Sequence, residues 1–296
     1  MNKRFESDSP APGVAPGQIM RRHALPVRVT HWIHFASLVI LLMSGLAIFN
    51  GWPALYWGIA TRFVHPLLAM FAMRLPDGRE VGMTWVLGHQ FVTTGWFGLF
   101  PASGGQAVAR GFPAWATLPG PLDLARARRW HFFFAWIFVI NGAVYALYAV
   151  GSGHLRRDLI PSGREFREIG ASIRDHALLR FPKGSAARKY NVLQKLSYLI
   201  VMFGMAPLMV ASGLSMSPWI DAGFPWLVEI FGGRQSARTI HFIVAFLLLA
   251  FVLIHVLMVL ASGVFNNLRG MITGRYRIAT LTEERSRERD EPTRSD

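Results

Sequence analysis

Apolar residues fall in four long runs along the chain, separated by polar or glycine- and proline-rich segments. The runs cover residues 29–50, 130–150, 192–214 and 239–264. Each run is long enough to cross a lipid bilayer as a single helix. The fourth run contains no Lys, Arg, Asp or Glu. The pattern predicts an all-α membrane protein built as a four-helix transmembrane bundle.

The segment between the first two runs, residues 51–126, is long and rich in Trp and Gly. It contains moderately apolar pieces at 63–73 and 84–100. Pro, Gly and His interrupt these pieces, which makes them too short to span a membrane. We therefore expect them at the membrane interface or in short surface helices.

Lys and Arg are concentrated in segments that lie on one side of the membrane in this topology. Residues 151–191 carry nine of them, the C-terminal segment carries seven, and the N-terminal segment through Arg28 carries five. Cytoplasmic loops of membrane proteins are enriched in Lys and Arg. The bias predicts that 151–191 and the tails 1–27 and 269–296 are cytoplasmic, with both tails mobile. The membrane domain then covers 28–268, and the 51–126 loop is extracytoplasmic.

Two histidines lie inside the fourth run, His241 and His255, fourteen residues apart. Steps of about 100° place both on one helix face, and a rise of about 1.5 Å per residue separates them by roughly 21 Å. In the predicted topology His31 of the first run matches the depth of His255, and His131 of the second run matches that of His241. Ionisable side chains inside a membrane are costly and indicate function. Two depth-matched pairs predict axial ligands for two haems b.

Other residues near these histidines have two interpretations each. His34 lies one turn deeper than His31, so it is the alternative ligand, and it is also placed to line the pocket or serve a quinone. Arg28, Arg129 and Arg238 flank the ligand-bearing helix ends and can pair with haem propionates, but topology alone also favours positive flanks.

Small residues form Ser-Gly pairs near helix ends, at Ser44–Gly45 and Ser212–Gly213 among others. They give clearance either for a flat macrocycle or for close packing between helices. The pattern does not separate these two uses.

Composition narrows the chemistry further. The chain has no cysteine, which excludes disulfides, thiolate iron–sulfur clusters, covalent c-type haem and Cys-based zinc sites. The net charge of +14 arises mainly from residues between and beyond the apolar runs, so it indicates topology and anionic-lipid contacts rather than nucleic acid. A transporter and a passive membrane anchor remain as haem-free alternatives. The runs lack Asp and Glu, which argues against the first, and the depth pairing argues against the second.

Several short motifs resemble one family of membrane proteins. The motifs are Arg28-x-Thr30-His31-Trp32, Ser44-Gly45-Leu46, Arg129-Trp130-His131 and Tyr190-Asn191-x-x-Gln194-Lys195, together with His241 and His255. They are similar to the dihaem cytochrome b subunits of respiratory enzymes. This superfamily includes Ni,Fe-hydrogenase cytochrome b, the formate dehydrogenase gamma subunit, thiosulfate reductase cytochrome b and bacterial cytochrome b561. The thiosulfate-reductase-like branch is the most similar.

The resemblance implies an electron-transfer subunit in a bacterial inner membrane, with two bis-histidine haems b linking a quinone pool to a peripheral redox subunit. His31 and His255 would hold the cytoplasmic haem, and His131 and His241 the outer one. The quinone region would include Asn191, Gln194 and Lys195. A molybdenum oxidoreductase is the expected partner and a hydrogenase the alternative. No catalytic residue is predicted, because bis-histidine ligation leaves no open position on the iron.

Overall fold

The computed structural model describes residues 19–21, 23–61, 65–101, 105–178 and 191–277. Within them, four helices are long and apolar enough to cross a membrane. Membrane helices 1 to 4 are Leu25–Asn50, Leu124–Gly151, Val192–Ser215 and Arg234–Ala261. The predicted mostly helical protein with four membrane helices is confirmed.

Helices 1, 2 and 4 start before their apolar runs do, because hydropathy marks the lipid-facing part and not the hydrogen-bonded ends, whereas helix 3 starts with its run at Val192. Helix 2 begins at Leu124, where the Asp123 carboxylate accepts a hydrogen bond from the Arg126 N–H at 2.9 Å. Helix 3 contains a π-helical turn at Ile200–Met205. Helix 4 ends at Ala261, and Gly263 has a φ of 104°, a conformation that favours glycine. A separate amphipathic helix, Val264–Thr273, follows.

The segment between helices 1 and 2 forms two small antiparallel sheets. The four-stranded sheet has the order Ala54–Leu55, Leu68–Arg74, Glu80–Val86 and His89–Val92, and the second sheet pairs Gly98–Pro101 with Ala107–Arg110. The expectation of short surface helices at 63–73 and 84–100 was therefore wrong for the described residues. The strand Leu68–Arg74 buries Met70, and Glu80–Val86 buries Gly82, Met83 and Thr84. Leu87 and Gly88 supply the two positive-φ positions of the tight turn between Glu80–Val86 and His89–Val92.

A buried cluster joins this segment to the end of helix 1. Phe49, Leu55, Met70 and Phe112 form the cluster, with Phe242 packed against it. The Asn50 amide donates to the carbonyls of Phe112 and Pro121, and its oxygen accepts from the Phe112 N–H at 2.7 Å. The last residue of helix 1 therefore holds the stretch that follows the last strand through three backbone groups.

Two compact units divide the chain. The first contains 29–154 and 197–254, which is most of the four membrane helices and both sheets. The second is formed from the described parts of 1–28, 155–196 and 255–296.

In the second unit, the strand Ile19–Arg21 pairs antiparallel with Arg275–Arg277. Arg28 donates to the Ile272 carbonyl at 2.8 Å. Mobile tails were therefore the wrong expectation for these described residues, since backbone pairing joins the two segments. Two short helices, Gly163–Arg167 and Ile169–Ala177, lie between membrane helices 2 and 3.

Candidate haem site

Helices 2 and 4 bring His131 and His241 side by side. Their ring centroids are 6.2 Å apart and the ring planes are inclined by 64°. Both residues are partly buried and belong to the first unit. The two histidines that the sequence matched by depth are thus neighbours in space.

A buried serine on helix 1 contacts the His131 ring. The Ser44 hydroxyl donates to the Ile40 carbonyl at 2.7 Å and lies 3.1 Å from His131 Nδ1. Ser44 is fully buried. Because the hydroxyl proton is directed to a carbonyl, the oxygen is left to accept from Nδ1–H.

The same arrangement holds the His241 ring from helix 3. The Ser212 hydroxyl donates to the Leu208 carbonyl at 2.7 Å and lies 3.1 Å from His241 Nδ1. The Met209 carbonyl also lies 3.1 Å from Nδ1. With Nδ1 protonated and engaged in this way, Nε2 is the ring nitrogen whose lone pair can bind a metal.

The glycine after each serine lets the helix backbone approach the ring. A Cβ atom at Gly45 would lie 3.4 Å from His131 Cε1, and one at Gly213 would lie 3.2 Å from His241 Cε1. The Ser-Gly pairs therefore contact the histidine rings themselves. Sequence reasoning identified these pairs but left their use open.

The spacing of the two rings fits a shared metal ion. A metal–imidazole bond is about 2.0 Å long and the ring centre lies about 1.1 Å behind the nitrogen, so two imidazoles that share an ion have centres no more than about 6.2 Å apart. The observed 6.2 Å reaches that limit. Two neutral imidazoles are also the donor set of a six-coordinate haem iron. The residues present fit a bis-histidine haem.

His34 is held against helix 2. Its Nδ1 contacts the Thr30 carbonyl at 3.0 Å and the Asn141 amide, and its ring packs edge-on against Phe138. A Cβ at Gly142 would lie 3.6 Å from His34 Nε2. Both ring nitrogens therefore lie close to helix 2, which is a packing role that the sequence did not indicate.

The predicted pair of His31 and His255 is divided between the two units. Both residues are partly buried, and the His31 ring packs edge-on against Trp32. Their joint ligation of a haem stays a prediction.

The three candidate propionate-binding arginines differ in their contacts. Arg238 donates to the Trp52 carbonyl and lies over the Phe49 ring at 5.6 Å. Arg28 is bound to Ile272, as described above. Arg129 is exposed at the start of helix 2, two residues before His131. Contact with a propionate stays a prediction for all three.

The predicted quinone region forms the N-terminal end of helix 3. Asn191 Oδ1 accepts from the Leu193 N–H at 3.0 Å, and Gln194 Oε1 accepts from the Asn191 N–H at 3.2 Å, which is a reciprocal helix cap. Lys195, which is only 8% exposed, donates to Glu165 at 2.8 Å. That hydrogen bond, together with one from the Ser162 N–H, lowers the pKa of the Glu165 carboxyl to about 2. Sequence reasoning missed Glu165, although Ser162-x-x-Glu165 is a readable capping motif.

The fold defines a helical membrane protein in which helices 2 and 4 bring two histidine rings side by side. The sequence profile of the prokaryotic cytochrome b561 family matches residues 82–274, about two thirds of the chain. The chain belongs to this family, and membership implies that it is a membrane protein that binds haem b. The resemblance to cytochrome b subunits is confirmed. The matched region begins after helix 1, so it includes His131, His241 and His255 but not His31.

One relative is a protein of Azospira oryzae that is 28% identical over 242 residues. The alignment covers 82% of this chain and 91% of the relative. The relative is named a putative protein-methionine-sulfoxide reductase subunit, YedZ1. No solved structure matches the chain.

Proposed function

We propose that the protein is the membrane cytochrome b subunit of a bacterial respiratory oxidoreductase. It relays electrons between the quinone pool and a peripheral redox subunit through two haems b. The observation that carries this proposal is the His131–His241 pair, with ring centroids 6.2 Å apart and each Nδ1 engaged by a buried serine. The His31–His255 haem rests on the sequence argument and on the family.

Each residue at the site has one task in this proposal. His131 and His241 hold the outer haem through Nε2. Gly45 lets helix 1 approach the His131 ring, and Gly213 lets helix 3 approach the His241 ring. A bis-histidine haem, when bound, carries single electrons and has no open coordination position for a substrate. The chain therefore transfers electrons, and the substrate reaction takes place on its partner.

The partner is proposed to lie on the extracytoplasmic side, where the two sheets between helices 1 and 2 are placed by the Lys and Arg bias. The name of the Azospira oryzae relative favours a reductase of methionine sulfoxide in proteins as the partner, over a hydrogenase and over a thiosulfate reductase. We take the partner to be a molybdenum-containing subunit, as the resemblance implied.

The quinone is proposed to react at the cytoplasmic ends of the helices, near Asn191, Gln194 and Lys195. Lys195 is the strongest candidate of the three, because its ammonium has three N–H donors and Glu165 takes one, whereas the side-chain oxygens of Asn191 and Gln194 cap helix 3. Electrons would then pass from the haem at His31–His255 to the haem at His131–His241.

A reduction experiment in liposomes tests this order. Purified protein is mixed with a soluble quinol, and haem reduction is followed optically in wild type and in His255→Leu and His241→Leu variants. His241→Leu is expected to keep one haem that the quinol reduces. His255→Leu is expected to keep one haem that dithionite reduces and the quinol does not. The control is His89→Leu, an exposed histidine on the strand His89–Val92, which should behave as wild type.

Two results would contradict the proposal. Rapid quinol reduction in both histidine variants would refute the order of transfer. Absence of haem from wild-type protein made with ample haem would leave only the transporter and the anchor.

A further inference from the structure

The contacts of the two outer histidines repeat each other atom for atom. In each case a serine hydroxyl donates to the carbonyl four residues earlier, at 2.7 Å, and lies 3.1 Å from the imidazole Nδ1. The carbonyl three residues before Ser212, that of Met209, also lies 3.1 Å from His241 Nδ1, and the Leu41 carbonyl, three residues before Ser44, faces the His131 ring in the same way. The residue after the serine is glycine in both cases. Helices 1 and 2 thus repeat the arrangement of helices 3 and 4.

Both serines are 0% exposed, so water does not compete for their hydrogen bonds. The hydroxyl proton of Ser212 is committed to the Leu208 carbonyl, so only oxygen lone pairs are directed at His241 Nδ1. An unprotonated Nδ1 would face these lone pairs without a proton between them. The serine therefore selects the tautomer with Nδ1–H and a free Nε2, and Ser44 does the same for His131.

We propose that Ser44 and Ser212 are positioning residues for the outer haem, acting through its two ligands. They fix the tautomer and the orientation of each imidazole and so present Nε2 to the iron. An imidazole that donates its N–H is a more basic ligand, and a more basic ligand stabilises the oxidised iron. The two serines therefore lower the reduction potential of the outer haem. This inference rests on the proposed function.

The expected shift in the reduction potential follows from the number of hydrogen-bond acceptors around each Nδ1–H. Each Nδ1 keeps a backbone carbonyl when its serine is replaced by alanine, so one acceptor of two is lost. Loss of a group that orients a metal ligand costs about tenfold in metal affinity at the low end of the usual range. Because the lost hydrogen bond stabilises the ferric form, we assign this tenfold to the ferric haem, and a tenfold change in the equilibrium constant of one-electron reduction corresponds to about 59 mV.

The test is redox potentiometry of the full-length protein with Ser44→Ala, Ser212→Ala and both together. Ser37→Ala and Ser215→Ala are matched controls, since both serines are buried and lie on the same helices. We expect two haems per chain in all variants and a raised potential of one haem in each test variant. The shift should be larger in the double variant. The control variants should keep the wild-type potential, and the g values of the ferric haem should change only in the test variants.

The inference is overturned if the test variants keep both haems and the wild-type reduction potentials. It is also overturned if the control variants shift the potential as much as the test variants do. If the alanine variants do not assemble, Ser44→Thr and Ser212→Thr decide, because threonine keeps the hydroxyl. Assembly with wild-type potential supports the role of the hydroxyl, and failure like that of alanine overturns it. The proposed function fails separately if the outer haem survives in His131→Leu and His241→Leu, and the inference then fails with it.

Discussion

Replacing Gly213 by alanine is the sharpest test of how closely helix 3 supports the His241 ring. The new Cβ would lie 3.2 Å from His241 Cε1 and 3.5 Å from Nδ1. Carbon atoms in favourable contact are about 3.5–4.0 Å apart, so the ring must retreat by a few tenths of an ångström. The hydrogen bonds from Nδ1 to Ser212 and Met209 are already 3.1 Å long, near the upper end of the usual range.

A shift of this size matters for a metal ligand, because metal–ligand distances are held within about 0.2 Å. Overpacking in a tight interior costs about 1–3 kcal/mol, and 1.4 kcal/mol is tenfold in affinity. We therefore expect Gly213→Ala to weaken retention of the outer haem about tenfold. Gly45→Ala should have a smaller effect, since its Cβ would lie at the ordinary contact distance of 3.4 Å from His131 Cε1.

The assay is the rate of haem transfer from the purified protein to excess apomyoglobin, read from the absorbance spectrum. The matched control is Gly204→Ala on the same helix, where a Cβ meets nothing within 4 Å. Both substitutions add one methyl group inside helix 3, and only the one at Gly213 meets a side chain, so the difference between them reports the contact with His241. Equal transfer rates for Gly213→Ala and Gly204→Ala would refute the reasoning.

Three further predictions concern stability. Glu165→Gln keeps the helix cap but loses the ion pair with Lys195, and should destabilise the protein by about 1–3 kcal/mol in denaturant unfolding. Because the pKa of Glu165 in the folded protein is lowered to about 2, the difference in free energy of unfolding should be complete above the usual carboxyl pKa and vanish as the pH falls towards 2. A difference that does not depend on pH would contradict this prediction. Asn50→Ala removes three buried hydrogen bonds and should cost about 2–3 kcal/mol, with faster proteolysis between helices 1 and 2; an unchanged proteolysis rate would count against this. Asn191→Ala should cost about 1 kcal/mol in denaturant unfolding through loss of the helix cap, and an unchanged free energy of unfolding would contradict the cap.

Hydropathy predicts the four membrane helices because a bilayer imposes one length and one composition on them. Depth matching also predicts that His131 and His241 meet, since helix rise and topology fix where each residue lies. The strands between helices 1 and 2 escaped prediction because they are short and the apolar residues of Leu68–Arg74 do not alternate with polar ones. The Pro76-Asp77-Gly78 turn between Leu68–Arg74 and Glu80–Val86 was a readable hairpin signal, whereas the next hairpin turns at Leu87 and Gly88, which is not.

The contacts of single side chains were harder to foresee. Ser44 and Ser212 stand out in the sequence only as small residues, and their hydrogen bonds to histidines depend on how the helices pack. Lys195 finds Glu165 thirty residues earlier in the chain, a pairing that sequence spacing does not indicate. The same holds for the Asn50 side chain, which binds the Phe112 backbone 62 residues later in the chain.

The most direct test of the central claim is the haem content of the purified wild-type protein and of its His131→Leu and His241→Leu variants. A pyridine haemochrome assay on detergent-solubilised protein measures non-covalent haem b per chain. We expect two haems in wild type and one in each variant. Two haems with unchanged spectra in either variant would contradict the site described here.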